Sequence, residues 1–227
     1  TQIEAMKLAY ADGLRYVADP QRAAVPTGGL LDPSYLAERR ALIGERAGNS
    51  LAGRPPGGGT VYLCTADKDG MMVSFIQSNY QGFGSGVVVP GRGISMQNRG
   101  HSFSLEAGHL NEAAPGKRPY HTIIPGFLTR GSEAVGPFGV MGGFMQPPGH
   151  LQVVAGTVDH NMNAQAVLSA PRWRAEGGMT VSLESTTPVE VIKGLEQRGH
   201  ELAFPDFDIG FGRGQIIWRL EDGCYEA

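Results

Sequence analysis

The stretch GGGTVYLCTADKDG, residues 57–70, sets three glycines directly before a threonine that opens a run with the alternation of a β-strand. Glycine loses more conformational freedom on ordering than any other residue. Three in a row therefore serve either a flexible connection or a backbone that must bend sharply at Thr60. VYLCTA (61–66) and MMVSFIQS (71–78) flank DKDG, and Asp69-Gly70 is the turn chemistry that joins two such runs into a β-hairpin.

Upstream of this hairpin the pattern is helical. Ile3, Met6, Tyr10, Leu14 and Val17 recur at helical spacing over residues 1–18, and Asp19-Pro20 ends the run. A second helix is predicted over Pro33 to Arg46, with Asp32 as its N-cap and Pro33 at the first helical position. Residues 49–59 then dissolve into Gly, Pro and Arg, which marks a boundary. Downstream, strands are predicted at 86–90, 93–97, 121–128, 138–142 and 215–220. Helices return at 160–169 and at 188–198, the latter with Thr187 as N-cap and Gly199 closing it. Mixed strands with segregated helices give an α+β class.

A length of 227 residues suits one large domain or two small ones and is ample for a buried core. Lys+Arg 19 against Asp+Glu 22 gives a net charge of −3 without a run of like charge, so neither nucleic acid nor a membrane surface is an expected partner. No stretch approaches the roughly 20 apolar residues of a membrane span. The chain opens on TQIEAMKLAY without an initiator Met, which leaves the compartment, cytoplasmic or periplasmic, open. Cys64 and Cys224 are far apart and show no metal-ligand spacing, so two lone buried thiols are expected.

GFGSG (82–86), VMGG (140–143) and GFGRG (210–214) lack the Lys-Ser/Thr and the strand–helix context of a phosphate cradle, and they read as turns. DKDG begins with calcium-like spacing, but the glycine and the closing glutamate of a calcium loop are missing. The six histidines form no HExxH and no close pair on one helical face. No metal or cofactor is expected.

Thr60 offers a chemistry of its own. If the Gly59–Thr60 bond is cut, Thr60 carries a free α-amine beside its own hydroxyl. An α-amine has a pKa of about 7.7 to 8.0, so near neutral pH it can accept the hydroxyl proton, directly or through a water. One residue then supplies both nucleophile and base, and glycines before it leave room for the contorted backbone that self-cleavage needs.

Residues 57–86, GGGTVYLCTADKDGMMVSFIQSNYQGFGSG, resemble the start of the small subunit of gamma-glutamyltransferases, members of the N-terminal-nucleophile hydrolase superfamily. APGKRPYHTIIPGF (114–127) is similar to the family's PxKRPLSSMTP segment, NMNAQAVLSAPRW (161–173) to its helix ending in Ala-Pro-Arg, and EAMKLAYADGLRYVADP (4–20) to the last part of its large subunit. The resemblance implies a four-layer αββα sandwich made as one precursor that cuts itself before Thr60. Residues 1–59 then form the end of the large-subunit region with the processing linker, and residues 60–227 the small-subunit catalytic region, the two staying paired after cleavage. It also implies a longer upstream region, containing an arginine for the substrate's α-carboxylate, and a short tail beyond Ala227.

Carried over residue by residue, the resemblance makes Gly59-Thr60 the cleavage site and Thr60 the nucleophile. Ser78 stands where the family has a threonine that supports the amine. Substrate-binding positions fall on Asn79 and Tyr80, on Arg99, His101 and Ser102 in QNRGHSF (97–103), and on His121 and Thr122 in place of paired serines. Ser102 occupies the position of the acid that holds the substrate α-ammonium. The oxyanion hole falls near Gly142, Gly143, Met145 and Gln146. The expected activity is acyl transfer from a small gamma-glutamyl or related amide, through acyl-Thr60, to water or an amine. The alternatives are an acylase for a non-glutamyl, glutaryl-type amide and a catalytically silent binding protein that stays uncut.

Overall fold

The computed structural model describes residues 1–49, 60–205 and 208–227. In chain order the helices are α1 (Gln2–Tyr16), α2 (Thr27–Leu30), α3 (Pro33–Ala41), α4 (Gln146–Val158), α5 (Ala164–Ser169) and α6 (Val189–Gln197). The strands are β1 (Val61–Ala66), β2 (Met72–Gln77), β3 (Val88–Val89), β4 (Ile94–Ser95), β5 (Gly126–Arg130), β6 (Glu133–Met141), β7 (Trp173–Gly177), β8 (Thr180–Leu183), β9 (Glu201–Ala203), β10 (Arg213–Ile216), β11 (Trp218–Arg219) and β12 (Tyr225–Glu226). The mixed helix and sheet content agrees with the α+β expectation.

The described residues divide into two compact units. The first comprises residues 1–49, Asn98–His121 and Trp173–Pro205. Its sheet is β7-β8-β9, antiparallel and then parallel, and α1 packs on β7. Ile3, Val181 and Leu183 form its core, with Trp173, Ile192, Leu195 and Leu202 around them. A buried ion pair also belongs to this unit. Lys7 Nζ, wholly enclosed, donates to Glu4 Oε1 at 2.9 Å and to the Gly48 carbonyl at 2.5 Å, while Glu4 Oε2 accepts from Gly48 N at 3.0 Å.

The second unit comprises residues 60–97, Thr122–Arg172 and 208–227. β6 is the middle strand of a three-stranded antiparallel sheet between β10 and β5, and α4 and α5 cover it. Phe138, Val140, Val153, Ala164, Val167, Ile216 and Trp218 make the core. The β1–β2 hairpin packs against β6 and β10 with Tyr62 and Ile76 turned inward, and its other face leaves Val61, Leu63, Val73 and Phe75 exposed. Gly139 of β6 makes this packing possible, because a Cβ there would lie 2.5 Å from the Tyr62 ring.

The hairpin turn follows the prediction. Gly70 adopts φ +89°, and the Asp67 carboxylate accepts from the Asp69 and Met71 amides. Other elements differ from it. The second helix stops at Ala41 rather than Arg46, although the Asp32 side chain caps it through the Ser34 and Tyr35 amides as expected. The helix predicted over 160–169 begins only at Ala164, where Asn163 caps it. Thr187 caps nothing. The position before α6 is Pro188, and the Thr187 hydroxyl instead donates to the Glu184 carbonyl at 2.7 Å. The strand predicted over 121–128 is shifted to Gly126–Arg130, that over 138–142 begins at Glu133, and that over 215–220 is broken into β10 and β11. The thiols are not both buried: Cys64 is half-buried and Cys224 exposed.

The sequence pattern missed α4 and the β7-β8-β9 sheet. Pro147, Pro148 and Gly149 read as breakers, yet proline is tolerated in the first helical turn. Burial around most of α4, at Gln146, Pro148, His150, Val153 and Ala155, also removes the amphipathic stripe that marks a surface helix.

Candidate active site

The hairpin register decides where Thr60 stands. Val61 pairs with Gln77, Tyr62 with Ile76, and so on to Ala66 with Met72. Continued by one residue, this antiparallel register sets half-buried Thr60 across from half-buried Ser78. Opposed residues in such a ladder have Cα atoms about 4.5 to 5.5 Å apart, within reach of two short hydroxyl side chains. Tyr62 anchors this end of the hairpin, fully buried, with its hydroxyl 2.9 Å from Ser74 Oγ. Burial raises its phenol pKa well above the ordinary value, so the group stays neutral. Gly59 lies outside the described residues.

The chain leaves β2 through an unusual turn. Ser78 Oγ accepts from Tyr80 N at 3.3 Å, and Tyr80, buried, takes φ +79°. A non-glycine residue in the left-handed region costs roughly 1 to 3 kcal/mol and persists only where its surroundings enforce it. The strain falls between the two polar positions singled out from sequence, Ser78-Asn79, and the glycine-rich run that follows. Nothing in the residue type signals it, since a bulky aromatic side chain is disfavoured there.

The second feature of this unit is the turn between β6 and α4. Gly142 has φ +133° and Gly143 φ +61°, and Met145 N donates to the Gly142 carbonyl at 3.0 Å. The turn delivers the chain into α4, whose first turn carries Pro147 and Pro148, which have no N–H, while the Gln146 amide donates to the Gly143 carbonyl, so the helix start offers few amide donors of its own. Met145 and Gln146 are both buried. The Gln146 carboxamide has a task that the sequence did not suggest: its Oε1 accepts from Ile124 N at 2.9 Å and ties α4 to the segment that follows buried Thr122. Arg172, from the Ala-Pro-Arg run, is another residue the sequence reading left without a role. It is buried and donates to the carbonyls of Phe211 at 3.1 Å and Gly212 at 3.0 Å, holding the GFGRG loop beside β6.

Arg99, His101, Ser102 and His121 belong to the first unit. Arg99 through Ser102 form a single 3-10 turn in which Arg99 is buried and His101 exposed. The Ser102 hydroxyl oxygen is enclosed and has no hydrogen-bond partner. His121 is exposed, yet desolvation of its ring and, secondarily, the charge of Arg99 lower its pKa below the ordinary imidazole value. That interaction places Arg99 and His121 within electrostatic reach of each other. No cluster of three or more His, Cys, Asp or Glu side chains suited to a metal ion occurs among the described residues. Nor is any described helix long and apolar enough to cross a membrane.

The threonine at the head of the β-hairpin, the serine one step beyond the last ladder pair and the glycine turn before α4 all lie in the second unit. Residues 1–227 match the family model described as Gamma-glutamyltranspeptidase, and the chain belongs to that family. It is 34% identical over 231 residues to the glutathione hydrolase-like YwrD proenzyme of Bacillus subtilis (strain 168), which covers 99% of this chain and 44% of that protein. The same identity and coverage relate it to the oxamate amidohydrolase proenzyme of Klebsiella pneumoniae subsp. pneumoniae. Among solved structures, the cephalosporin acylase from Bacillus halodurans superposes with a TM-score of 0.92 at 56% identity, over 99% of this chain and 41% of that one. The chain thus spans less than half the length of these relatives.

Proposed function

We propose that this chain supplies the nucleophile of a self-processing amidohydrolase of the gamma-glutamyltranspeptidase family. The Gly59–Thr60 bond is cut, and the freed Thr60 attacks the carbonyl carbon of an amide donor through Oγ. The Oγ proton passes to the α-amine and from there to the departing amine, leaving an acyl-Thr60 ester that water or an acceptor amine resolves. The register that opposes Thr60 to Ser78 carries this reading, because a hydroxyl there can hold the α-amine in its basic form. Backbone N–H groups of the Gly142-Gly143 turn receive the oxyanion; the Met145 and Gln146 amides, expected there as well, donate instead to the Gly142 and Gly143 carbonyls. The Gln146 side chain, bonded to Ile124, serves as structure. That the relatives are proenzymes supports self-cleavage.

In this reading the cut yields polypeptides 1–59 and 60–227 that stay paired within a four-layer αββα sandwich. Bonds between residues on either side of the cut support the pairing: Arg118 NH2 to Asp19 Oδ1 at 2.9 Å and Ala47 N to the Arg198 carbonyl at 2.6 Å. A second reading concerns the donor. Ser102 stands in place of an acid, with buried Arg99 three residues before it, which favours an acyl group bearing a carboxylate but no ammonium. Oxamate, in the name of the Klebsiella relative, is such an amide.

Intact-mass measurement of the purified protein tests the first reading: two polypeptides are expected, the smaller beginning at Thr60. Thr60→Ala should stay uncut and inactive, and Thr60→Ser should retain part of both functions. An Ala variant that still cleaves at Gly59 misplaces the nucleophile. For the donor, kcat/KM for a glutaryl anilide should exceed that for a gamma-glutamyl anilide, and Ser102→Asp should narrow or reverse the ratio. A wild type that stays whole and binds these amides without turnover would instead be the silent binding protein.

A further inference from the structure

The segments carrying Arg99, Ser102 and His121 are joined to each other by a residue outside all of them. Asn111 is 5% exposed, and both ends of its carboxamide are used. Nδ2 donates to the Ser102 carbonyl at 2.7 Å, and Oδ1 accepts from Tyr120 N, next to His121, at 3.0 Å. Its own backbone is fixed as well: Asn111 N donates to His109 Nδ1 at 3.0 Å, and its carbonyl accepts from Ser104 N at 2.9 Å.

The segment leading to His121 is tied at two further points. Lys117 Nζ donates to the carbonyls of Leu110 at 2.6 Å and Glu112 at 2.9 Å, on either side of Asn111. The Asp19 carboxylate, 4% exposed, accepts from Arg118 N at 3.1 Å and Arg118 NH2 at 2.9 Å, and also from Gln21 N at 3.1 Å. A carboxamide is the side-chain group that offers a donor and an acceptor on one rigid plane, which is what a bridge from a carbonyl to an amide requires.

We infer that Asn111 is a positioning residue for donor specificity: its carboxamide sets the spacing between the Arg99–Ser102 turn and the segment ending in His121. The inference rests on the acyl-transfer reading above. A merely stabilising asparagine would lower stability and every activity together. A positioning one acts on recognition of the donor's carboxylate end and spares both self-cleavage and the chemical step at Thr60.

The experiment compares wild type with Asn111→Asp, which keeps an acceptor for Tyr120 N but turns a carboxylate on the Ser102 carbonyl, and with Asn111→Leu, which supplies neither bond. Asp19→Asn, which loosens the same segment from the far side by removing the charge facing Arg118 and leaving an acceptor for only one of the two amides, is a second variant that does not touch Asn111. Self-cleavage is read by intact mass, and kcat and KM are read for a glutaryl anilide and an uncharged butyryl anilide. Loss of one buried hydrogen bond with an orphaned partner corresponds to about a tenfold change. The expected result is normal cleavage, KM for the glutaryl donor raised about tenfold or more in both Asn111 variants and less in Asp19→Asn, kcat within a few fold, and little change for the butyryl donor. The inference is overturned if KM is unchanged in folded variants, or if both donors, kcat and cleavage fall in parallel across all three. If wild type neither cuts nor turns over, the acyl-transfer reading fails first and takes the inference with it.

Discussion

Replacing Gly139 with alanine tests how the β1–β2 hairpin is seated. Gly139 lies in the middle of β6, paired with Gln215, and faces the buried ring of Tyr62. An added Cβ would sit 2.5, 2.6 and 2.8 Å from three ring atoms, where carbon atoms in contact lie at about 3.5 to 4.0 Å. The ring has to retreat by about 1 Å, and because Tyr62 is fully enclosed, β1 retreats with it. Overpacking of this kind costs roughly 1 to 3 kcal/mol, and breaking the Tyr62–Ser74 hydrogen bond adds about 1 kcal/mol. The total, about 2 to 4 kcal/mol, lowers Tm by roughly 5 to 15 °C for a domain of this size. Thr60 is two residues from Tyr62, so self-cleavage should slow as well. Thermal melts followed by circular dichroism give the first quantity and time-resolved intact mass the second. Pairing Gly139→Ala with Tyr62→Leu should cost less than the sum of the two single changes, since the smaller side chain accommodates the methyl. A Gly139→Ala protein that melts within 1 °C of wild type and cleaves at the wild-type rate would refute the close-packing argument.

Acid should destabilise the fold in two stages. Burial lowers the pKa of His150 and of His200, so as pH falls below about 6.5 the unfolded chain takes up protons first and stability is lost until the folded values are passed. Asp19, held well below the usual carboxylate range by Arg118, adds a second loss only below about pH 4, as pH falls toward its folded value. A Tm that stays flat from pH 7.5 to 5 contradicts the first stage. Arg172→Met leaves the Phe211 and Gly212 carbonyls without their charged donor and should destabilise by about 2 to 4 kcal/mol in urea unfolding, with faster amide exchange in residues 211–214. Lys7→Met strands buried Glu4 and should cost about 3 to 5 kcal/mol. It should also raise the His200 pKa, which Lys7 holds down, by an amount an NMR titration can read.

The sequence determined what local chemistry can encode. Tyr62 and Ile76 alternate with outward residues around a DKDG turn, and that pattern specifies a hairpin with one register. The sequence singled out Ser78 through the family resemblance, whereas its place one step beyond the Val61–Gln77 pair comes from the observed register. The Asp32 cap and the position of α1 were legible for the same reason: each depends on a few neighbouring residues. Tertiary structure decided the rest. Prolines hid α4 because their cost depends on where in a helix they fall, and burial around the helix erased its periodicity. Tyr80 takes a positive φ that no tyrosine prefers, so only the fold around it can impose that state. Asn111 reaches Ser102 and Tyr120 across nine residues in each direction, and Arg172 reaches Phe211 across 39. Such bonds join groups whose separation along the chain carries no periodic signal, and they exist only once packing has brought the segments together.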